Sequence, residues 1–175
     1  MMSHPTKAEF TRRSLLGAGA ALGGALLVGC GPAETQPAEA VPAARATGSR
    51  VAMSVFRDPN CGCCESWTVA ARQDGFSATI VNSDDMAGVK RRLGVPEALA
   101  SCHTTSVAGY TIEGHVPLAD VQRLLRERPA GVKGLAVPGM PAGSPGMEVP
   151  DGTKERYQVL AFDAAGATWI FSEQG

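Results

Sequence analysis

Residues 51–64 have the sequence Val-Ala-Met-Ser-Val-Phe-Arg-Asp-Pro-Asn-Cys-Gly-Cys-Cys, which places three cysteines shortly after an apolar run. Residues 51–56 are mostly apolar and β-branched, as is typical of a buried strand. The Asp-Pro-Asn sequence at residues 58–60 breaks that strand, and a helix is predicted from about residue 61 to residue 72. The cysteines therefore lie at the junction between a strand and the start of a helix.

The rest of the chain continues with alternating strand and helix patterns. In chain order we predict a strand at 77–81, a short helix ending at residue 93, a hairpin of strands at 104–107 and 110–115, a helix at 118–128, an irregular loop at 129–152 and a final hairpin at 157–162 and 168–171. The order β-α-β-α-β-β-α is that of the thioredoxin fold, whose redox cysteines occupy the first strand–helix junction. The pattern therefore predicts an α/β, thioredoxin-like domain with an additional C-terminal hairpin.

Residues 1–30 have the features of an export signal. A pair of arginines, Arg12 and Arg13, precedes an apolar stretch at 15–28, which is the pattern of a Tat-type signal peptide. The stretch is shorter than the roughly 20 residues that span a bilayer. It ends in Leu-Val-Gly-Cys, which resembles a lipobox and predicts lipidation of Cys30 with association to a membrane; ordinary cleavage nearby is the alternative. We expect a periplasmic protein.

Composition divides the remaining chain into a linker and one domain. Residues 31–49 are rich in Ala, Pro and Glu, which predicts a flexible linker. Residues 50–175 have the length of a single small domain. After the leader, thirteen Lys and Arg stand against sixteen Asp and Glu, a net charge of −3. Without a basic patch, we expect no nucleic-acid partner.

The cysteines of the domain are clustered in a way that indicates chemistry. Cys61, Cys63 and Cys64 occupy four consecutive positions, and Cys102 is the fourth cysteine after Cys30. A disulfide stabilises a fold mainly by closing a long loop, and a bridge within this cluster closes almost none. We therefore expect the cluster to serve a reaction or a metal and not to act as a structural crosslink.

Three chemical interpretations of the cluster are open. Cys61 and Cys64 have the C-x-x-C spacing of thiol-disulfide oxidoreductases, and the helix start favours their thiolate forms. Such an enzyme needs only two cysteines, whereas Cu(I) prefers thiolate ligands and can use Cys63 as well, with bridging sulfurs allowing a multinuclear site. A four-cysteine zinc site is a less favoured alternative. We favour Cu(I), and we leave open whether the protein is an enzyme.

The Cys102-His103 pair is predicted to face the cluster, because the segment entering the third strand of a thioredoxin-like fold lies against the C-x-x-C pair. A buried structural cysteine is the alternative. If residues 108–109 form a two-residue turn, Cys102 lies opposite His115 on one face of the hairpin, and His103 points to the other face. A slip of one residue reverses this choice. Both His115 and His103 are therefore candidate metal ligands.

Two methionines each have two interpretations, and one tryptophan is predicted to have a packing role. Met140 and Met147 lie in the Gly/Pro-rich loop and either offer thioethers to Cu(I) or pack the loop onto the core. Trp67, one turn after Cys64, is predicted to pack the helix and shield the site.

Several motifs of this chain together resemble the CopG-like metal-binding proteins, and the resemblance covers essentially all of residues 50–175. The motifs are Cys61-Gly62-Cys63-Cys64 with Trp67, Cys102-His103-Thr104, Gly109-Tyr110, Glu113-Gly114-His115-Val116-Pro117, and the late stretches 134–141 and 143–148.

The resemblance implies a periplasmic role in copper resistance and a thioredoxin-like fold. It implies that copper is held by Cys61, Cys63 and Cys64 together with Cys102, and it suggests a task of interconverting Cu(I) and Cu(II). We accordingly expect copper ions as the ligand, with periplasmic copper proteins or a copper exporter as partners.

Overall fold

The computed structural model describes residues 50–175, all of which lie within one compact unit. The predicted signal peptide, the lipobox Cys30 and the linker at 31–49 lie outside the described residues. The elements are β1 (Ala52–Arg57), α1 (Gly62–Gln73), β2 (Ser77–Asn82), α2 (Met86–Leu93), a 3₁₀ turn (Glu97–Leu99), β3 (Thr104–Val107), β4 (Tyr110–Glu113), α3 (Leu118–Glu127), β5 (Gly134–Ala136), β6 (Tyr157–Phe162) and β7 (Thr168–Gln174). Among these residues, no helix combines the length and the apolar character needed to cross a membrane.

All seven strands form one mixed sheet in the order β2-β1-β3-β4-β5-β6-β7. The pairs β1–β2 and β4–β5 are parallel, and the other four pairs are antiparallel. The first strand is thus an interior strand, and its carboxyl end leads directly into the cysteine cluster. The sheet therefore fixes the position from which α1 starts.

Helices cover the two faces of the sheet. Trp67 of α1 and Leu124 of α3 share one apolar core with Ile112 of β4, so α1 and α3 pack on the same face. Side chains alternate along a strand, so Thr111 and Glu113 point to the opposite face. There Thr111 Oγ1 donates to a carbonyl of α2 and Glu113 pairs with a lysine of α2. The site described below lies at one end of the interior strands, after the ends of β1 and β4 and before the start of β3.

The element order predicted from the sequence is confirmed through α3, and the fold is mixed α/β as expected. Several ends differ by one or two residues, and the final strand continues to Gln174.

The prediction of an irregular loop over 129–152 is wrong for Gly134–Ala136, which forms the interior strand β5 between β4 and β6. Only Gly fits at 134, because a side chain there would overlap the carbonyl oxygen of Thr111 and the ring of Phe162.

Candidate metal centre

The start of α1 presents the cysteine cluster. Cys61 occupies the N-cap position with an extended backbone, and its side chain makes no capping hydrogen bond. Two hydrogen bonds stabilise the turn between β1 and α1. Arg57 Nη1 donates to the Cys61 carbonyl oxygen at 2.7 Å, and the Cys61 amide donates to Asp58 O at 3.0 Å. The helix start supplies unpaired N–H groups that favour negative charge on nearby sulfurs.

Four cysteine sulfurs converge at this helix start. Cys61 and Cys64 are joined by a disulfide, with their Cα atoms 5.5 Å apart, while Cys63 and Cys102 are free thiols. The Cys61 and Cys63 sulfurs are 3.5 Å apart. All four sulfurs lie within 4.8 Å of one another. Reduction of the disulfide would therefore create a compact set of four thiols.

The β3–β4 hairpin brings Cys102 to His115. Thr104 pairs with Glu113 and Val107 with Tyr110, which is the register predicted from a turn at residues 108–109. Continued beyond the strands, this register sets Cys102 opposite His115, and Cys102 Sγ lies 3.0 Å from His115 Nε2. The predicted juxtaposition of Cys102 and His115 is confirmed.

The prediction that His103 points away from Cys102 and His115 is wrong. His103 Nδ1 lies 3.2 Å from Cys102 Sγ, and the two imidazole rings have their centroids 5.0 Å apart. Strict alternation fails here because the regular strand begins only at Thr104, and Cys102 lies in a bend before it. Donor atoms of Cys102, His103 and His115 lie within 4.8 Å of one another.

The hydrogen bonds assign the tautomers of the two histidines. The Pro145 carbonyl can only accept, so His115 Nδ1 carries the proton and donates to it at 2.8 Å, which leaves the Nε2 lone pair facing Cys102. The Cys102 thiol donates to this lone pair, and its sulfur then accepts from His103 Nδ1–H. Within residues 50–175, His103 Nε2 is buried without a hydrogen-bond partner.

Burial keeps these groups uncharged in the metal-free protein. Burial lowers the pKa of His103 to about 3, with the neighbouring His115 and Lys90 acting in the same direction. Burial also lowers the pKa of His115, against the opposing effects of the Pro145 carbonyl and Glu148. The pKa of Cys102 is raised to about 12, mainly by burial and further by the nearby Cys63. Both imidazoles are therefore neutral donors near neutral pH, and Cys102 must release a proton to bind a metal ion.

A segment of the Gly/Pro-rich loop, residues 141–148 and hereafter the strap, closes over the site. Its Pro145 carbonyl holds His115, and its Gly146 packs against the start of α1, where an added Cβ would lie 2.7 Å from the Trp67 amide nitrogen. Trp67 is fully buried, as predicted, and its Nε1–H donates to Val116 O at 3.0 Å. The strap, the indole and the hairpin together bury the two histidines, while Cys61, Cys63 and Cys102 are half-buried.

The structure brings together all six predicted metal ligands, and their role as ligands stays a prediction. The six residues form two sets that share Cys102: the four cysteines, and Cys102 with the two histidines. Thiolates with neutral imidazoles form a donor set suited to soft and borderline metal ions such as Cu(I) and Zn²⁺. Of the loop methionines, Met140 is 53% exposed and Met147 is half-buried, so Met140 does not pack into the core.

Two supports of the site were not predicted from the sequence. One is the strap carbonyl that orients His115, for which a sequence carries no signal because every residue has a carbonyl. The other is Glu113, fully buried and paired with Lys90. The available signal was a charged residue within the predicted strand at 110–115. A glutamate that is fully buried almost always has a partner of opposite charge, so this signal predicts a buried ion pair.

Comparisons with known proteins agree with this architecture. Residues 99–147 match a family described as "Protein of unknown function, DUF411". Two solved structures titled "Copper resistance protein copG", forms 2 and 1, are each 44% identical to this chain. Form 2 aligns over 72% of this chain and 99% of its own with a TM-score of 0.68, and form 1 over 71% and 98% with a TM-score of 0.67. No curated protein sequence matches significantly.

The close packing of the strap predicts a site-specific cost for Gly146→Ala. Gly146 has a φ of +83°, and its added Cβ would also lie 3.0 Å from the Cys63 carbonyl oxygen. Gly152→Ala is the matched control, with a φ of +73° and no atom within 4 Å. Both variants incur backbone strain of about 1–2 kcal/mol, and Gly146→Ala loses about 1–3 kcal/mol more through the overlap. Urea unfolding of both variants measures the difference, and equal losses would contradict the described packing.

Proposed function

The chain belongs to the family of the copper resistance protein CopG, and from that membership and the donor geometry we propose that it is an exported protein that binds copper. The copper ion is held as Cu(I) by Cys61, Cys63, Cys64 and Cys102 once the disulfide is reduced. The single observation that carries this proposal is the convergence of four sulfurs within 4.8 Å of one another. Cu(I) is the biological metal that most favours such a soft, sulfur-rich set.

The two histidines extend the proposed donor set. His115 Nε2 and His103 Nδ1 flank the Cys102 sulfur at 3.0 Å and 3.2 Å, and His103 becomes a donor at this position once its ring proton moves from Nδ1 to Nε2. A thiolate shared between two donor sets can bridge two ions, so the arrangement supports a multinuclear copper site with Cys102 between the cysteine side and the histidine side. Zn²⁺ needs only one closed tetrahedron of four ligands, and a site with six donors exceeds that need.

The disulfide supports a role in the interconversion of Cu(I) and Cu(II). Oxidation of the Cys61 and Cys64 thiolates to the disulfide releases two electrons. Two bound Cu(II) ions accept one electron each and become Cu(I), so atoms and charges balance in a single turnover. A thiol reductant from outside the protein is required to restore the dithiol. In this scheme Cys63 and Cys102 keep their sulfurs free to hold the reduced ions.

The proposed setting is copper resistance outside the cytoplasm. The Tat-type leader and the lipobox at Cys30 indicate export and a lipid anchor, and both lie outside the described residues. The partners we propose are periplasmic copper proteins or a copper exporter, which would supply or take up the bound ions. No part of residues 50–175 carries a feature that selects between these two partners.

Anaerobic titration of the reduced full chain with Cu(I), against a competing chelator and with metal analysis, tests the binding proposal. Cys63→Ser should lower Cu(I) affinity by at least about 100-fold, the upper end of what loss of an outer-shell partner costs a metal site. Cys30→Ser, the same substitution outside the cluster, should leave the affinity unchanged. Unchanged Cu(I) binding in Cys63→Ser, or Zn²⁺ outcompeting Cu(I), would refute the proposal.

Thiol-disulfide oxidoreductase activity on protein substrates is the second candidate, favoured by the Cys61–Cys64 disulfide at a helix start. It needs neither Cys63 nor copper. If it is the function, the copper-free chain reduces insulin disulfides, Cys63→Ser retains that rate, and Cys64→Ser abolishes it. Tight Cu(I) binding with no insulin reduction by the wild-type chain would exclude this candidate.

A further inference from the structure

A buried network surrounds the Glu113 carboxylate, two residues before His115. Glu113 is fully buried. Its Oε1 accepts from the Ser101 amide at 2.6 Å and from Lys90 Nζ at 2.5 Å. Its Oε2 accepts from the Thr104 hydroxyl at 2.7 Å, and Lys90 Nζ also donates to the Thr104 hydroxyl at 3.1 Å. One carboxylate thus collects three donors, one from α2 and two from the ends of residues 101–104.

The donors flank the segment that carries Cys102 and His103. Ser101 immediately precedes this pair of residues and Thr104 immediately follows it, so Glu113 holds both ends of the segment. Between these ends, one further bond crosses the hairpin, because the Gly114 amide donates to His103 O at 2.9 Å. Since the regular strand begins only at Thr104, no strand pairing fixes Ser101 or Cys102. The Glu113 carboxylate takes over that task together with the bond from Ser101 Oγ to Gly139 O at 2.6 Å.

Stability alone gives little reason for a charged pair at this position. A buried ion pair is often no more stabilising than apolar side chains of the same size, because both charges lose their hydration. An apolar residue at 113 would leave the Ser101 amide without its acceptor and the segment without its anchor. The carboxylate fixes local geometry, because it holds one backbone amide and two side chains at defined distances.

We propose that Glu113, paired with Lys90, is a positioning residue that clamps residues 101–104 so that Cys102 and His103 face the cysteines of α1. The inference rests on the proposed function in one respect, namely that Cys102 and His103 serve there as copper donors. The clamp itself is a property of the metal-free protein. It can therefore be measured without copper.

The metal-free test compares the alkylation rates of Cys102 and Cys63 in the oxidised full chain, each followed by mass spectrometry of its peptide. Glu113→Gln keeps the shape of the side chain but removes the counter-charge of Lys90 and one acceptor site. Loss of a partner from a buried group should speed alkylation of Cys102 by about tenfold through local opening. Cys63, which the clamp does not touch, should react at its original rate.

Asp120→Asn is the matched control. Asp120 is also a buried carboxylate, 6% exposed, and it accepts from Ser172 and Gln174 far along the chain from the clamp. Its substitution should leave the ratio of Cys102 to Cys63 alkylation unchanged. If Glu113→Gln does not fold, Thr104→Val tests the same clamp by removing the hydroxyl that touches both Lys90 and Glu113.

Cu(I) titration of the same variants supplies the functional test. Glu113→Gln should lower Cu(I) affinity by about tenfold, the cost typical of a lost outer-shell partner, while Asp120→Asn leaves it unchanged. An unchanged alkylation ratio in Glu113→Gln or its substitute, or an unchanged Cu(I) affinity, overturns the proposal, as does an equal effect in Asp120→Asn. If the wild-type chain binds no Cu(I), the proposed function fails, and the alkylation ratio alone decides whether the clamp exists.

Discussion

The register of the β3–β4 hairpin determines whether this site exists. Pairing of Thr104 with Glu113 sets Cys102 against His115 and brings the Cys102 sulfur to the cysteines of α1. A slip of one residue would turn these side chains to opposite faces and separate the two donor sets. The two-residue turn at 108–109 fixes the register at one end. Glu113 fixes it at the other end, where strand pairing stops.

Burial gives the site its chemical character. The histidines stay neutral because the protein around them disfavours charge, and the Cys102 thiol keeps its proton for the same reason. Neutral imidazoles and protonated thiols cost little to bury, whereas four thiolates without a cation would repel one another. A bound cation removes that repulsion. Metal binding, thiol deprotonation and disulfide formation are therefore linked at one place: binding at Cys102 requires release of its proton, and coordination by all four sulfurs requires reduction of the Cys61–Cys64 disulfide.

The sequence predicted much of this arrangement because its strongest signals are local. The strand at 51–56 followed by clustered cysteines located the site, and the turn at 108–109 gave the correct hairpin register. Two predictions were wrong for different reasons. The strand β5 has only three residues and forms through pairing with β4 and β6, which is a non-local effect. His103 lies close to Cys102 because β3 begins only at Thr104, so strand alternation does not extend to residues 102 and 103. The support from Pro145 is a backbone contact between distant segments, which no residue pattern reports.

The central claim is that the cysteines of α1 and the hairpin residues form one copper-binding unit. X-ray absorption at the copper edge of the full chain, loaded anaerobically with Cu(I), addresses this claim most directly. We expect Cu(I) with mainly sulfur neighbours and a minor nitrogen contribution that decreases in His115→Ala. A first shell of only nitrogen and oxygen, or a spectrum that does not change when Cys102 is replaced by Ser, would contradict it.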